Sequence, residues 1–468
     1  MTTPLAPRTP YGTTERARPG PRGDAGTAHR IARSAATTTG SGLRTGDVPG
    51  WLEARRRAHA FQVDRIPFAA LDNWCFQDGT GNLVHRSGRF FSVEGLRVTT
   101  SHGPFREWYQ PIIKQPEVGI LGILVKEFDG VPHFLMQAKM EPGNRNLLQL
   151  SPTVQATRSN YTQAHRGAPV RYLEYFTDPT RGRILADALQ SEHGSWFYRK
   201  SNRNMLVEAI GDVPPHDDFC WLTLGQIGEL LRQDNAVNMD ARTVLACAPT
   251  PDTASTALHT DTGLLSWITA ERARLDLRAE RVPLAGIPGW VHRDDSIVHE
   301  SGRYFSVVAV GVRAGSREVA HWTQPLFEPQ GLGVTAFLTR RFEGVPHLLV
   351  HARVEAGFAD TLELGPTVQY TPGNYAHLPA EDRPPFLDDI LTADPSRIRY
   401  EAIHSEEGGR FLNAESRYLF VDAADDYAPE GYLWATPGQL TALLRHNHYL
   451  NVQARTLLSC LTSNAARL

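Results

Sequence analysis

Two polar strings, QAKMEPGNRNLLQLSPTVQATRSNY at residues 137–161 and HARVEAGFADTLELGPTVQYTPGNY at residues 351–375, hold residue types from which a reaction could be built. Each places a cation two positions before a carboxylate: Lys139 and Glu141 in the first, Arg353 and Glu355 in the second. Residues two apart on a strand share a face, so each pair would offer an acid and a cation to the same side of a sheet. The alternative is a solvated surface pair worth at most about 1 kcal/mol. Downstream in the first string come Asn144, Gln155, Thr157, Arg158, Ser159 and Asn160, ending on Tyr161; the second keeps Gln369, Tyr370, Thr371, Asn374 and Tyr375. Amides and hydroxyls match sugar oxygens, a guanidinium matches phosphate and an aromatic face matches a base. The ligand class this suggests is a sugar diphosphate, against the plainer reading of a polar turn.

A second pair of strings adds proton-transfer groups. QSEHG contains Ser191, Glu192 and His193, and HSEEG contains His404, Ser405, Glu406 and Glu407. A carboxylate and an imidazole side by side have the chemistry of general acids and bases, although strand neighbours point to opposite faces. KSNRNMLVE then places Lys200, Asn202, Arg203 and Asn204 where the second copy has the plainer AESRYLFV. Trp74 and Trp290 are either platforms for a base or core residues. No Gly-x-Gly-x-x-Gly, Walker loop, serine elbow or His-Glu-x-x-His occurs, so nicotinamide, ATP and zinc mechanisms have no local signature.

These strings come in pairs because the chain is duplicated. Trp51 and Trp267, like Trp74 and Trp290, stand 216 positions apart. HRSGRFFSV and HESGRYFSV, WYQP and WTQP, FDGVPH and FEGVPH, and SPTVQ and GPTVQ are 214 apart, and NMDARTVLAC and NVQARTLLSC are 213 apart. Two homologous domains follow, at about 47–249 and 265–468, joined by a Pro-, Thr-, Asp- and Ser-rich linker at 250–264. Each opens with an amphipathic helix such as WLEARRRAHAF. It continues through short apolar runs (RFFSVEGLRV, GILGILVKEF, HFLMQAKME) separated by Gly, Asp and Pro, and closes on helical TLGQIGELLRQ and MDARTVLACA. The expected class is α+β, with a mixed or antiparallel sheet flanked by helices and built twice. Residues 1–46 carry almost no large apolar side chains and read as a disordered tail.

The 468 residues are 41% hydrophobic with a formal charge of −3, so no basic field directs the chain to nucleic acid or anionic lipid. Cys75, Cys220, Cys247 and Cys460 are too scattered for a zinc spacing, and with no apolar run of about eighteen residues and no secretory h-region the expectation is a soluble, cytoplasmic protein.

The strings EPGNRNLLQLSPTVQATRSNY, LQSEHGSWFY, KSNRNM and NAVNMDARTVLAC resemble the NDP-hexose 2,3-dehydratase family of deoxysugar biosynthesis, over roughly residues 47–465. The resemblance implies two Nudix-like domains, a homodimer, and loss of the C2 hydroxyl from a dTDP-4-keto-6-deoxyhexose on the way to a glycosylated natural product such as an antibiotic. It implies no metal and no redox cofactor. A separate 3-ketoreductase is the implied partner that traps the product. Neither QIGELLRQDN nor QLTALLRHNH carries the Nudix metal signature, a departure that argues against diphosphate hydrolysis.

The implied chemistry is β-elimination. A C4 ketone acidifies the C3 proton, a base removes it, and the C2 hydroxyl leaves with help from an acid. The first copy, with its denser polar setting, is the expected catalytic one: Glu141 or His193 as base, Lys139 and Asn202 near the C4 oxygen. The second copy, with Trp290, Arg353, Gln369, Tyr370, Asn374 and Tyr375, is either a second binding site or the true active site. A non-catalytic nucleotide-sugar binding protein and a Nudix-type hydrolase are the rival readings.

Overall fold

GILGILVKEF and VPHFLMQAKM meet at Asp129 and Gly130, whose φ angles of 50° and 77° are those of a two-residue hairpin turn. The strands Gly119–Phe128 and Val131–Met140 accordingly pair antiparallel from Phe128↔Val131 onward. Glu343 and Gly344 repeat the turn, with φ 47° and 83°, between Gly333–Phe342 and Val345–Val354. This computed structural model describes residues 25–101, 105–157, 170–251, 255–315 and 320–468.

Each hairpin is the centre of a seven-stranded sheet. In the first repeat the order is Gly182–Ser191, Ser201–Ala209, Gly119–Phe128, Val131–Met140, Phe219–Thr223, with two short strands, Leu148–Ser151 and Val154–Ala156, added on the hairpin. Ser201–Ala209 runs parallel to Gly119–Phe128 and every other pairing is antiparallel, so the sheet is mixed. The central strand is apolar from Gly119 to Val125 because both of its faces are covered there. Leu121, Ile123 and Val125 join a core shared by both repeats, while Ile120 and Leu124 pack on Tyr172, Tyr175 and Phe176. The α+β duplication expected from the sequence is the observed architecture.

The repeats are not separate bodies. Phe61–Ile66, at the start of the first repeat, pairs with Phe305–Ala314 of the second, and Leu277–Val282 of the second pairs with Ser92–Thr100 of the first. Each five-stranded small sheet therefore contains one strand from the other repeat. The helices Met239–Ala246 and Val452–Thr462 pack together in the shared core, with Arg242 Nε donating to Thr456 Oγ1 (3.3 Å) and Arg455 Nε to Thr243 Oγ1 (2.6 Å). Both arginines are fully buried, and each also donates to a carbonyl of the opposite repeat, Arg242 to Ser405 and Arg455 to Ser191. Those carbonyls belong to the acid-bearing HSEEG and QSEHG segments, so the core fixes where those segments lie.

Two boundaries differ from expectation. Residues Ala25–Ala36, assigned to the disordered tail, form a helix. Ile31 and Ala35 supply a narrow apolar stripe one helical turn apart, and Ser34 Oγ donates to Pro132 O (2.6 Å) while accepting from Leu224 N (2.9 Å). Composition overlooked this helix because small residues and backbone contacts, not large side chains, seat it. Residues 1–24 lie outside the described residues. The expected linker is shorter on its far side: Thr260 caps a helix, Asp261–Arg274, through a 3.0 Å bond from Gly263 N. Among the described residues no helix is long and apolar enough to cross a membrane.

Candidate active site

The strand Val131–Met140 delivers Lys139 to one face of the large sheet, and the chain turns at once into Glu141. Lys139 Nζ lies 3.4 Å from Glu141 Oε1 and donates to Gln155 Oε1, on the neighbouring strand Val154–Ala156. Glu141 is heavily bonded. Oε1 accepts from Gln155 Nε2 (3.2 Å), and Oε2 accepts from Asn144 Nδ2 (3.3 Å) and Asn238 Nδ2 (3.5 Å). Gln155 Nε2 also donates to Asp240 Oδ2. Asp240 stands on the first turn of the helix Met239–Ala246, whose N-cap is Asn238, and is only 5% exposed.

The adjoining wall comes from the strands Gly182–Ser191 and Ser201–Ala209. Buried Glu192 accepts from Asn202 Nδ2 (2.6 Å), and Asn202 Oδ1 accepts from Lys200 Nζ (2.8 Å) and Gly119 N (3.0 Å). Lys200 is buried and donates also to the Glu117 carbonyl.

The second repeat closes this pocket. Gly143 N donates to Gly408 O and Asn413 N to Gly143 O, both at 2.7 Å. A Cβ at Gly143 would lie 1.6 Å from Phe411 O, so only glycine permits the contact. The seam brings in Glu407, whose Oε1 accepts from Gly409 N (3.0 Å), and Arg410, whose Nε donates to Gln115 Oε1 (3.1 Å) while its guanidinium sits 4.3 Å from the Phe91 ring centre.

Four carboxyl groups thus gather with three cations in a largely buried cluster. Burial, reinforced by the charges of Glu192 and Glu141, pushes Asp240 up to about 7. Burial raises Glu407 to about 8 against the pull of Arg410, with Asp240, Glu141 and Glu192 adding to the rise. Burial also lowers Lys200 to about 8, opposed by Glu192. Like charges this close cannot all persist in a low dielectric, so protons are retained on the acids near neutral pH.

The second repeat builds the same frame with different contents. Glu355 Oε1 accepts from Arg353 Nε (2.7 Å) and Gln369 Nε2 (3.0 Å), and Gln369 Oε1 accepts from Asn451 Nδ2 (2.7 Å). The Arg353 guanidinium lies 4.9 Å from the Tyr370 ring centre, and Tyr375 packs edge-on against Tyr370, with burial raising its hydroxyl to about 12. At the positions of Asp240, Asn202, Lys200 and Asn144 stand Gln453, Ser416, Ala414 and Phe358; at those of Glu407 and Arg410 stand His193 and Trp196 of the first repeat.

Several candidates therefore part company. Lys139, Glu141, Asn144, Gln155, Glu192 and Asn202 lie in the first pocket, joined by Glu407. His193 does not: it points away from Glu192's partners, with Nε2 2.8 Å from Glu406 Oε2 and its ring packed on Trp196 and Phe411. The backbone beside it seams to the second repeat through Gly357 N→Gly194 O (2.7 Å), so His193 belongs to the second pocket. Both residues follow the end of the strand Gly182–Ser191, where the chain begins to turn and the two side chains meet different partners.

Ser191 and Ser405 are core ties, donating to Glu363 Oε2 (2.6 Å) and Gln149 Oε1 (2.9 Å). His404 is buried against the Tyr400 hydroxyl (2.7 Å), and burial together with Arg242 holds its imidazole well below the usual range. Trp74 and Trp290 are core anchors rather than open platforms: both are buried, and their indoles donate across the repeats to Thr323 O (2.9 Å) and Tyr109 O (2.8 Å). Asn374 accepts from Tyr304 N (3.0 Å), beside Thr371, and Thr157 ends the described stretch before residue 170. Arg158, Ser159, Asn160 and Tyr161 lie outside the described residues.

Sequence reasoning missed Asp240 and Arg410 and left Lys200 outside the candidate site. The available signal for Asp240 was the contrast of NMDART with NVQART, where one acid breaks a near-perfect repeat.

A duplicated α+β frame with one acid-rich pocket defines a class of enzyme, and comparison with known proteins names it. The chain belongs to the NDP-hexose 2,3-dehydratase family, whose sequence profile matches residues 45–248 and again 261–461. It is 62% identical over 446 residues to an Amycolatopsis orientalis protein called dTDP-4-dehydro-6-deoxy-alpha-D-glucopyranose 2,3-dehydratase, covering 94% of this chain and 95% of that one. Proteins of the same name from Saccharopolyspora spinosa (53% identical, covering 93% of this chain and 94% of the relative) and Streptomyces violaceoruber (50%, covering 89% and 98%) are also similar.

Proposed function

We infer that this chain removes water across C2 and C3 of dTDP-4-keto-6-deoxyglucose, and that the first repeat's pocket is where it does so. The observation that carries the reading is the asymmetry between two otherwise equivalent pockets. One holds Lys139, Glu141, Asp240, Lys200, Asn202 and Glu407 together, while the other has Gln453, Ala414, Ser416 and His193 in the last four of those places. A β-elimination needs stabilisation of a developing enolate oxygen and two proton transfers. The first pocket offers lysines for the oxygen and two acids whose proton affinity burial raises, where the second offers Arg353, the His193–Glu406 pair and two tyrosines.

In this reading the Lys139 ammonium faces the C4 oxygen and offsets its growing negative charge. Glu141, with hydrogen bonds or ion-pair contacts to Lys139, Gln155, Asn144 and Asn238, holds that ammonium in place and is poorly placed to take a proton itself. Asn202 fixes Glu192 and ties Lys200 to the pocket wall. The second pocket, with Arg353 and two tyrosines, is suited to hold a nucleotide-sugar without transforming it. The remaining parts of the picture are a Nudix-like ancestry for each repeat, two copies of the chain per assembly, a cytoplasmic setting, and a 3-ketoreductase that removes the reactive diketo product toward a glycosylated natural product.

The test is incubation of the purified chain with dTDP-4-keto-6-deoxyglucose, a 3-ketoreductase and its reductant. The expected result is a reduced sugar nucleotide lacking the C2 oxygen. Ketosugar recovered intact beside a demonstrably active reductase would overturn the reading.

A further inference from the structure

We propose that Asp240 and Glu407, one from each repeat, are the proton-transfer pair of the first pocket: Asp240 takes the C3 proton and Glu407 protonates the departing C2 oxygen. The inference rests on the dehydratase reading and goes beyond it by naming the acid and the base.

Free oxygen atoms and the contrast between the repeats together single out these two among the four acids. Glu141 is surrounded by donors on both oxygens. Glu192 has one oxygen held by Asn202, and its Oε2, 3.9 Å from His193 Nδ1, has no hydrogen-bond partner among the described residues. The equivalent position of the second repeat, however, is again a glutamate, Glu406, so Glu192 does not distinguish the two pockets. Asp240 Oδ2 is held by Gln155, but its Oδ1, on a side chain 5% exposed, has no hydrogen-bond partner among the described residues. Glu407 is arranged alike: Gly409 N holds Oε1, and buried Oε2 has no partner among the described residues, although the residue as a whole keeps some exposure. A carboxyl oxygen sealed from water and unmatched by protein is costly unless a ligand meets it.

The two acids also enter from different walls, an arrangement suited to a step in which one group takes the proton and another serves the leaving oxygen. Asp240 comes on the first turn of the helix Met239–Ala246, and Glu407 across the glycine seam from the second repeat. The groups facing them are Glu141, Glu192, Lys139 and Arg410. The second pocket lacks both acids, with Gln453 and His193 in their places, which accords with their serving the step that distinguishes the pockets.

The step balances. The C3–H bond breaks, its proton goes to Asp240, and its electron pair forms the enolate across C3 and C4. That pair then forms the C2–C3 double bond as the C2–O bond breaks, and the leaving oxygen takes the proton of Glu407 and departs as water. The C4 carbonyl is restored, the C3 hydroxyl is left as an enol that ketonises, and one proton passed from Asp240 to Glu407 resets the enzyme.

The test compares Asp240→Asn and Glu407→Gln with the parent on the 4-keto sugar nucleotide in deuterated water, following C3 exchange by NMR and water loss with the reductase. Each variant should lose dehydration by at least about 100-fold. Asp240→Asn should also lose C3 exchange, whereas Glu407→Gln should keep it. Dehydration by Glu407→Gln within about threefold of the parent, or C3 exchange by Asp240→Asn at the parental rate, would overturn the assignment. Melting curves and binding of thymidine diphosphate establish that each variant is folded. Should either fail to fold, Asp240→Glu and Glu407→Asp take its place, and an acid there whose displacement leaves both rates unchanged overturns the proposal. A parent that exchanges nothing and loses no water sinks the dehydratase reading itself, whereas an active parent with active variants sinks only this pair.

Discussion

Glu141 and Asp240 share one amide, that of Gln155, yet their surroundings differ. Lys139 and two asparagines hold Glu141 in place, whereas burial beside Glu192 and Glu141 raises Asp240 to about 7. A carboxyl that binds its proton more tightly in the fold than in the open chain favours folding fully below about pH 4, and that contribution is lost as pH rises through the folded value. Asp240→Asn should therefore melt higher than the parent at pH 8, by the equivalent of at least about 1 kcal/mol, with the gap closing toward pH 4. Parallel melts at the two pH values check this, and a gap that does not depend on pH would contradict it. Activity should follow the same acids, falling below about 7 as Asp240 gains a proton and above about 8 as Glu407 loses one. Lys139→Met should cost at least about 100-fold in turnover by removing the charge at the developing oxyanion. It should also cost about 3 kcal/mol of stability by stranding Glu141 in a buried site. Unchanged kcat would remove Lys139 from the chemistry.

Between elements, the seam at Gly143 decides whether the second repeat can reach the first pocket. Because a Cβ there would lie 1.6 Å from Phe411 O, Gly143→Ala forces the loop and the HSEEG segment apart. The expected outcome is a fall in kcat larger than in nucleotide affinity, together with a lower melting temperature; parental kcat would show that the seam does not position Glu407. The helix Ala25–Ala36 is a separate case. Ile31 is 1% exposed, and Ile31→Asp would bury an unpaired carboxylate, lowering stability by about 3 kcal/mol or undocking the helix. Since that helix packs on the Val131–Met140 hairpin remote from the acids, turnover at low temperature should survive, as initial rates on the variant would establish.

At the scale of the whole chain, exchanged strands and a common core make each repeat depend on the other. Residues 45–250 alone would lack the strand Leu277–Val282, the Glu407 carboxyl and the Arg410 guanidinium. They would also expose the core surface now covered by Val452–Thr462. Expressed alone, this half should aggregate or remain inactive; co-expressed with residues 255–468 it should recover solubility and dehydration. Size-exclusion chromatography with an activity assay distinguishes the outcomes, and an active isolated half would show that the second repeat contributes nothing to the reaction.

The duplication, the α+β class and the grouping of Lys139, Glu141, Gln155 and Asn202 were legible in the sequence, because repeat spacing and strand periodicity are local properties of a chain. The 3.6-residue stripe of Ile31 and Ala35 was too faint to read, and its neighbours' small side chains gave no sign that backbone contacts would hold it. What only the tertiary structure decided is membership of a pocket. Glu192 and His193 are adjacent in the chain and meet different partners, Asn202 and Glu406, because the strand ends at Ser191 and the chain turns there against the second repeat. Asp240 and Glu407 are far apart in the chain and face one pocket because Arg242, the glycine seam and the exchanged strands fold one repeat onto the other. Periodicity encodes which way a side chain points; which surface it meets depends on contacts between distant segments, and those have no signature in any single stretch of sequence.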